Sequence, residues 1–176
     1  MLAIDLNAVD AHPPIVKTLR WPDEAATHAF ALALAKQPGL GNALISLQGD
    51  LGAGKTTLVR HLLHALGVRG RIKSPTYAVV EPYELPTLAI WHFDFYRFAD
   101  PREWEDAGFR DIFASAGLKL VEWPQRAAGR LPRPDLSIHI ECGHDDTRTV
   151  TLTAESALGA ELLQGLPVDP AQDSPA

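Results

Sequence analysis

Apolar residues recur along the chain with two periods, one typical of helices and one typical of strands. Helices are predicted over 21–39, 56–67 and 100–117. In the second of these segments, Leu58, Leu62 and Leu66 lie four residues apart and would share one face, and Gly67 follows as a stop signal. The pattern therefore predicts at least three helices separated by other structure.

Strand-like segments alternate with the helices at first and then follow one another near the end of the chain. The predicted strands cover 43–49, 76–83, 88–98, 118–124, 136–142 and 147–154. Alternation of strands and helices favours a parallel sheet covered by helices, whereas consecutive strands favour antiparallel pairing. The predicted fold class is α/β, a sheet with a parallel core and an antiparallel edge, flanked by helices.

Length and composition indicate how the chain is organised into domains. With 176 residues, of which 46% are hydrophobic, the chain is long enough for one well-packed domain, which we place at 15–163. Residues 1–14 are interpreted as a flexible leader. Residues 164–176, which are rich in proline and acidic side chains, are interpreted as a flexible tail.

Cysteine usage and charge narrow the class of protein. The single cysteine, Cys142, excludes an internal disulfide framework. The first ten residues lack the basic segment and the long apolar stretch of a signal peptide, and no later apolar run approaches about 18 residues. We therefore expect a soluble, cytoplasmic protein. The net charge of −6 argues against strong autonomous binding to nucleic acid, although a local basic patch or a nucleic acid held by a partner stays possible.

The segment GDLGAGKTT, between a predicted strand and a predicted helix, places several glycines beside one lysine. Gly49, Gly54, Lys55 and Thr56 satisfy the pattern GxxxxGK[ST]. Glycines let successive backbone N–H groups turn inward, and the helix adds its unpaired N-terminal donors, so the segment suits a multiply charged phosphate. Lys55 would reach the β and γ phosphates, and the Thr56 hydroxyl would ligate Mg²⁺.

A chance match on an ordinary turn is the alternative, and the strand and helix on either side argue against it. The fold is accordingly predicted to be P-loop NTPase-like. The nucleotide-binding residues predicted from this segment are Gly49, Asp50, Leu51, Gly52, Ala53, Gly54, Lys55, Thr56 and Thr57. Guanine-specific relatives of such loops usually carry an asparagine-lysine-x-aspartate element. The two asparagines here, Asn7 and Asn42, lie in no such setting, so ATP is favoured over GTP.

Two acidic residues end apolar strands, where a metal-dependent phosphoryl transfer needs a carboxylate. Asp94 follows LAIWHF, and Glu122 follows LKLV. Either residue alone could be an exposed acid at a strand end. Because both strands end in the same way, with an aromatic residue close behind, the pair is the stronger candidate for catalysis together with Lys55.

Several motifs together resemble one family, the small bacterial ATPases called TsaE or YjeE. The matching segments are GDLGAGKTTLVR at 49–60, KSPTYAVVEPY at 73–83, WHFDFYRFADP at 91–101, GFRDIF at 108–113 and LVEWPQ at 120–125. The resemblance covers most of 20–150 and implies a P-loop α/β fold. It also implies slow hydrolysis of ATP with Mg²⁺ in support of the TsaD and TsaB proteins. TsaD transfers a threonylcarbamoyl group to adenosine 37 of tRNAs that read codons beginning with adenine, and tRNA contact with a TsaE protein would be indirect, through that complex.

The resemblance also assigns roles to individual residues. It implies that Lys55 binds phosphate, that Thr56 and Glu122 are associated with the metal, and that Asp94 orients water or metal-bound water. Other residues that it places near the nucleotide are Ser74, Pro75 and Thr76 in a switch segment, Trp123 close to the site, and Glu24 beside the adenine. One departure is His61, where many members carry glycine. This position lies beyond the phosphate loop and concerns packing or partner contact.

Two other functions remain open at this stage. One is a small-molecule kinase, since the same loop serves kinases and the arginines at 126, 130 and 133 resemble a phosphate-clamping lid. The other is a nucleotide-gated binding module that binds ATP and hardly hydrolyses it. The products of ATP consumption and the effect of Glu122→Gln on partner function would separate these alternatives.

Overall fold

Seven strands form one mixed sheet in the order β1-β7-β6-β2-β5-β4-β3. The computed structural model describes residues 14–100 and 102–167. The strands are β1 (Ile15–Trp21), β2 (Leu44–Gln48), β3 (Val80–Leu85), β4 (Leu88–Asp94), β5 (Leu118–Glu122), β6 (Leu136–Cys142) and β7 (Arg148–Ala154). The proposed leader, apart from Pro14, and residues 168–176 of the proposed tail lie outside the described residues.

The centre of the sheet is parallel and both of its edges are antiparallel. Strands β6, β2, β5 and β4 run parallel to one another. Strand β3 pairs antiparallel with β4 at one edge, while β7 pairs antiparallel with β6 and β1 at the other. The mixed sheet with a parallel core is thus confirmed. Strand β1 was not predicted, and it makes the second antiparallel edge.

Helices cover the sheet on both faces. They are α1 (Glu24–Ala35), α2 (Lys55–Leu66), α3 (Glu103–Asp106), α4 (Arg110–Ala114) and α5 (Ala157–Gln164). Residues of α1, α2 and α5 belong to the larger apolar core, whereas the short helices α3 and α4 pack in a separate aromatic cluster with Phe93 and Val121. Because side chains alternate along a strand, Phe93 and Val121 point away from the face that carries Asp94 and Glu122. In the described part of the chain, no helix is long and apolar enough to cross a membrane.

The ends of the two longest helices differ in how they are capped. Asp23 caps α1, since its side chain accepts from the backbone N–H of Ala26, and Gly67 ends α2 in the left-handed conformation. Helix α2 begins after Gly54, which has φ 110° and provides no side-chain cap. The first N–H groups of α2 are therefore available to a ligand.

Several predicted elements differ from those observed. The first helix spans Glu24–Ala35 rather than 21–39, and Trp21 belongs to β1 instead. Strand β5 ends at Glu122 rather than at 124. The segment 100–117 forms the two short helices α3 and α4 rather than one, because Gly108 between them adopts φ 72°. Strand β3 begins at Val80 rather than at 76, and β4 ends at Asp94 rather than at 98. After Asp94 the chain turns and buries Phe95 in the aromatic cluster. At the other end of the domain, α5 was not predicted, and the buried Leu166 extends the packed core past residue 163.

Candidate functional site

The glycine loop, residues 49–54, connects the central strand β2 to α2. Gly49, Gly52 and Gly54 have φ of 144°, 80° and 110°, conformations that residues with a Cβ rarely adopt. At Gly49 there is also no room, because a Cβ would meet the backbone carbonyl of Ile140 and lie 3.1 Å from the Ala53 Cβ. The loop therefore depends on glycine for both its shape and its packing against β6.

Lys55, the first residue of α2, turns back into the glycine loop. Its Nζ donates to the carbonyl oxygens of Gly49 at 2.7 Å and Asp50 at 2.8 Å, and it lies 4.4 Å from the centroid of the Trp123 ring. Only 4% of the residue is exposed. Burial lowers the pKa of the Lys55 ammonium below its ordinary value, and the Glu122 and Asp94 carboxylates oppose this only in part.

Glu122, at the end of β5, faces Thr56, the second residue of α2. The Thr56 Oγ1 lies 3.0 Å from its Oε1 and 2.9 Å from its Oε2, and the His92 Nε2 lies 2.7 Å from Oε1. Glu122 is 2% exposed, so this carboxylate is buried and held from two sides. The interpretation of Glu122 as a merely exposed acid at a strand end is wrong.

Asp94, at the end of β4, lies beside Glu122 in register. Its Oδ2 accepts from the Thr76 hydroxyl at 3.0 Å and from the Ser74 hydroxyl at 3.3 Å, while its Oδ1 accepts from the Tyr96 N–H at 2.9 Å. Asp94 is 3% exposed and is likewise no surface acid. Asp94 therefore connects the segment that contains Ser74 and Thr76 to the end of β4.

These groups surround one open cavity of about 320 Å³ at the carboxyl end of the parallel strands. Its lining consists of Leu51, Gly52, Gly54, Lys55, Thr56, Thr57, Ser74, Thr76, Asp94, Tyr96, Glu122 and Trp123. The cavity thus brings together most of the residues that the sequence predicts for the site. Gly49 and Asp50 do not line the cavity, but their carbonyl oxygens accept hydrogen bonds from the Lys55 Nζ.

Two predicted residues lie to one side of this cavity. Glu24 and Ala53 line a neighbouring cavity of about 360 Å³, which shares Gly54 and Thr57 with the first. The Glu24 carboxylate is exposed and pairs with the His61 Nε2 at 2.9 Å. His61 therefore connects α2 to α1.

The donor atoms suit Mg²⁺ that arrives together with phosphate. Hydroxyl and carboxylate oxygens are the ligands that Mg²⁺ prefers, and it commonly uses one or two carboxylates in addition to phosphate oxygens and water. Neighbouring ligands in a regular octahedron at 2.0–2.1 Å lie about 2.9 Å apart. The Thr56 hydroxyl and the Glu122 Oε2 already have a separation of 2.9 Å. Within the described residues no group of three or more His, Cys, Asp or Glu side chains could hold a metal ion.

Three residues of the site were not singled out from the sequence. His92 contacts Glu122, the Tyr96 ring lies 5.0 Å from that of Trp123, and the Arg148 Nε donates to the Ala53 carbonyl at 2.8 Å. Strand alternation offered a signal for His92, which stands two residues before Asp94 and so shares its face. Arg148 had no such local signal, because β7 is far from the glycine loop in sequence.

A larger cavity of about 420 Å³ lies elsewhere, lined by residues that include Trp104, Arg110 and Arg130. It has no glycine loop and none of the hydroxyl and carboxylate groups described above. The glycine loop and the hydroxyl and carboxylate groups described above therefore line the cavity beside the start of α2 and not this larger one.

A model of the family described as threonylcarbamoyl adenosine biosynthesis protein TsaE matches residues 21–150. The chain belongs to the TsaE family. The tRNA threonylcarbamoyladenosine biosynthesis protein TsaE of Haemophilus influenzae is 44% identical over 120 residues, which cover 68% of this chain and 75% of that protein. The protein of the same name from Bacillus subtilis is 36% identical over 143 residues, which cover 79% and 87% respectively.

A solved structure supports the same relationship at the level of the fold. The crystal structure of Bacillus subtilis YdiB superposes with a TM-score of 0.72 at 30% identity, covering 88% of this chain and 95% of that chain. The TsaE family match spans every residue of the candidate site, from Glu24 to Arg148. The site therefore lies entirely inside the family's domain.

Proposed function

We propose that the chain is a Mg²⁺-dependent ATPase that supports the TsaD–TsaB complex in threonylcarbamoylation of adenosine 37 in tRNAs that read codons beginning with adenine. The biosynthetic role is supported by family membership and by the names of the relatives. The ATPase activity is supported by the site. A single observation carries it: Lys55, Thr56, Asp94 and Glu122 line one cavity at the uncapped start of α2.

Binding of the phosphates falls to the glycine loop and Lys55, so we assign the loop as a P-loop. The free N–H groups at the start of α2 are donors for phosphate oxygens, and the helix dipole favours a negative charge there. The Lys55 ammonium at present donates to the carbonyls of Gly49 and Asp50. Because the ligand offers ionised oxygens in place of neutral carbonyls, Lys55 would exchange these partners for the β and γ phosphates.

Thr56 and Glu122 would hold Mg²⁺ with the nucleotide. When bound, the ion neutralises charge on the phosphates and so lowers the barrier to their transfer. The buried Glu122 carboxylate is a rigid ligand because Thr56 and His92 fix it from two sides. Asp94 would orient the attacking water, or a water on the metal, from the neighbouring strand.

The side chains around Asp94 give the site a way to respond to the nucleotide. Ser74 and Thr76 line the cavity and donate hydrogen bonds to Asp94. A ligand that contacts Asp94 would therefore change how firmly these two side chains are held. We propose that ATP orders the segment around 73–83, that docking of TsaD and TsaB aligns Asp94 and Glu122, and that hydrolysis releases the arrangement.

Phosphate release from Mg·ATP by the purified chain, alone and with TsaD and TsaB, tests this function. We expect low activity alone, stimulation by the two partners, and loss of activity in Lys55→Ala. Activity that the partners do not change would contradict the coupled role while leaving the P-loop chemistry in place.

The products of this assay, together with ATP binding and tRNA modification by Glu122→Gln, separate the two competing functions. A phosphorylated small molecule in place of inorganic phosphate would indicate a kinase. If Glu122→Gln abolishes hydrolysis, spares ATP binding and still supports tRNA modification, the chain is a nucleotide-gated binding module. Loss of tRNA modification in that variant supports the ATPase.

A further inference from the structure

His92 is a buried polar side chain beside the predicted catalytic groups. It lies in the middle of the sheet on β4, pairs with Leu120 of β5 in register, and is 0% exposed. Its Nε2 lies 2.7 Å from the Glu122 Oε1. An ionised carboxylate only accepts hydrogen bonds, so the hydrogen of this pair is carried by Nε2.

The other ring nitrogen argues against a purely space-filling role. The His92 Nδ1 is buried and has no hydrogen-bond partner in the described part of the chain. An unpaired buried polar atom carries a cost that an apolar side chain of similar size would avoid. The only hydrogen bond that the described structure gives this ring is the one to Glu122, and that bond accounts for an imidazole at this position.

The bond to His92 becomes more important when the site is loaded. Within the described residues, the hydrogen bonds to the Glu122 carboxylate come from Thr56 and His92. If the Thr56 hydroxyl presents its oxygen to Mg²⁺, its hydrogen no longer has to point at Glu122. His92 is then the donor that keeps the carboxylate oriented, as donors behind metal ligands commonly do.

We propose that His92 is a positioning residue, which donates from Nε2 to Glu122 and thereby fixes the orientation in which Glu122 meets the nucleotide-bound metal. This inference rests on the proposed function. His92 itself lines neither of the two cavities beside the glycine loop, so it acts through Glu122 and not on the nucleotide.

A matched pair of substitutions separates the donor from the volume of the ring. In His92→Gln the amide nitrogen can reach the place of Nε2, whereas His92→Met has a similar length and no donor. His92→Asn is a second polar variant, whose shorter amide falls near Nδ1 and does not reach Glu122. The measurements are the affinity for ATP with and without Mg²⁺ by calorimetry, kcat and KM for phosphate release, and the free energy of unfolding in urea.

We expect His92→Met and His92→Asn to lose about 10- to 100-fold of the enhancement that Mg²⁺ gives to ATP affinity, and a similar factor in kcat. Their affinity for ATP without metal should stay close to that of the unchanged chain, because the glycine loop and Lys55 are untouched. His92→Gln should recover most of both losses.

Two results would overturn the inference while leaving the ATPase intact. One is a folded His92→Met or His92→Asn chain with unchanged Mg²⁺ enhancement and kcat. The other is a His92→Gln chain that folds and is as impaired as His92→Met, since the donor would then not be the relevant property. If the unchanged chain binds no ATP, the proposed function fails and this inference fails with it, and the two kinds of failure are thereby distinguished.

Discussion

The hydroxyl of Thr56 lies within 3.0 Å of both carboxylate oxygens of Glu122, so the two residues proposed as metal ligands are in direct contact. A hydroxyl has one hydrogen and can donate to one of these oxygens at a time. Its lone pairs remain free to face the cavity. The first turn of α2 and the end of β5 therefore place these two side chains beside the same part of the cavity.

Replacing Thr56 tests this arrangement. Thr56→Val keeps the shape of the side chain and removes the hydroxyl. We therefore expect hydrolysis to fall by at least about tenfold and half-maximal activity to require a higher Mg²⁺ concentration. Thr56→Ser retains the hydroxyl and should keep most of the activity. Phosphate release measured over a series of Mg²⁺ concentrations checks both variants, and equal activity of the Val and Ser variants would contradict a role for this oxygen.

The shape of the glycine loop gives a second prediction. Gly49→Ala combines a left-handed φ with a clash against the backbone of Ile140, which cannot move without disturbing β6. We expect the free energy of unfolding to fall by about 3 kcal/mol or more, with loss of ATP binding. Gly52→Ala is the matched control, since a Cβ there has open space and only the strain of φ 80° remains, about 1–2 kcal/mol. Urea unfolding of the two variants should rank them in this order, and a Gly49→Ala chain as stable as Gly52→Ala would contradict the packing argument.

The hydrogen bonds of Asp94 give a third prediction, about the segment that precedes β3. Thr76→Val removes the 3.0 Å bond to the Asp94 carboxylate, and a hydrogen bond to a charged group is worth about 1.5–3 kcal/mol. Amide exchange over 76–79 should therefore become at least roughly 10-fold faster. Ser74→Ala removes the longer 3.3 Å bond and should have a smaller effect. Hydrogen exchange with mass spectrometry measures both.

The same experiment with an ATP analogue tests the proposed switch. Protection of 74–79 should increase when the analogue binds to the unchanged chain. Equal protection with and without the analogue would contradict an ATP-ordered segment, whatever the two variants do.

Local patterns in the sequence were enough to predict the parallel core of the sheet. The apolar runs that end in Asp94 and Glu122 predicted two strands with acids at their ends, and the two residues indeed lie side by side in register.

Features set by distant parts of the chain were not predictable in this way. Strand β1 is stabilised by pairing with β7 at the far end of the sequence, and a local pattern cannot show such a partner. The same holds for Arg148, which reaches the glycine loop from β7. The contact of His92 with Glu122 was predictable only in part. Strand alternation shows which face of the sheet carries His92, but the pairing of β4 with β5 decides that Glu122 is its neighbour.

Lys119 gives a prediction about pH that is independent of the ligand. It lies on β5, is 5% exposed, donates from Nζ to the Ser115 carbonyl, and has its Nζ 5.3 Å from the centroid of the Trp91 ring. Burial lowers the pKa of the Lys119 ammonium below its ordinary value. In the unfolded chain the same group has the ordinary lysine pKa of about 10.4. Between the lowered pKa and this value the unfolded chain binds more protons than the folded chain.

The sign of the effect follows from that difference in bound protons. When the unfolded state binds more protons, the free energy of unfolding increases as pH rises, by at most about 1.4 kcal/mol per pH unit for one group. The unchanged chain should therefore gain stability relative to Lys119→Met as pH rises towards 10.4, and lose that gain as pH falls through the lowered pKa. Urea unfolding of both chains in the same buffers from neutral to alkaline pH measures the difference, from which the titration of all other groups cancels. A difference that stays constant across this range would show that Lys119 keeps an ordinary pKa in the folded chain, and that water reaches its ammonium despite its buried position on β5.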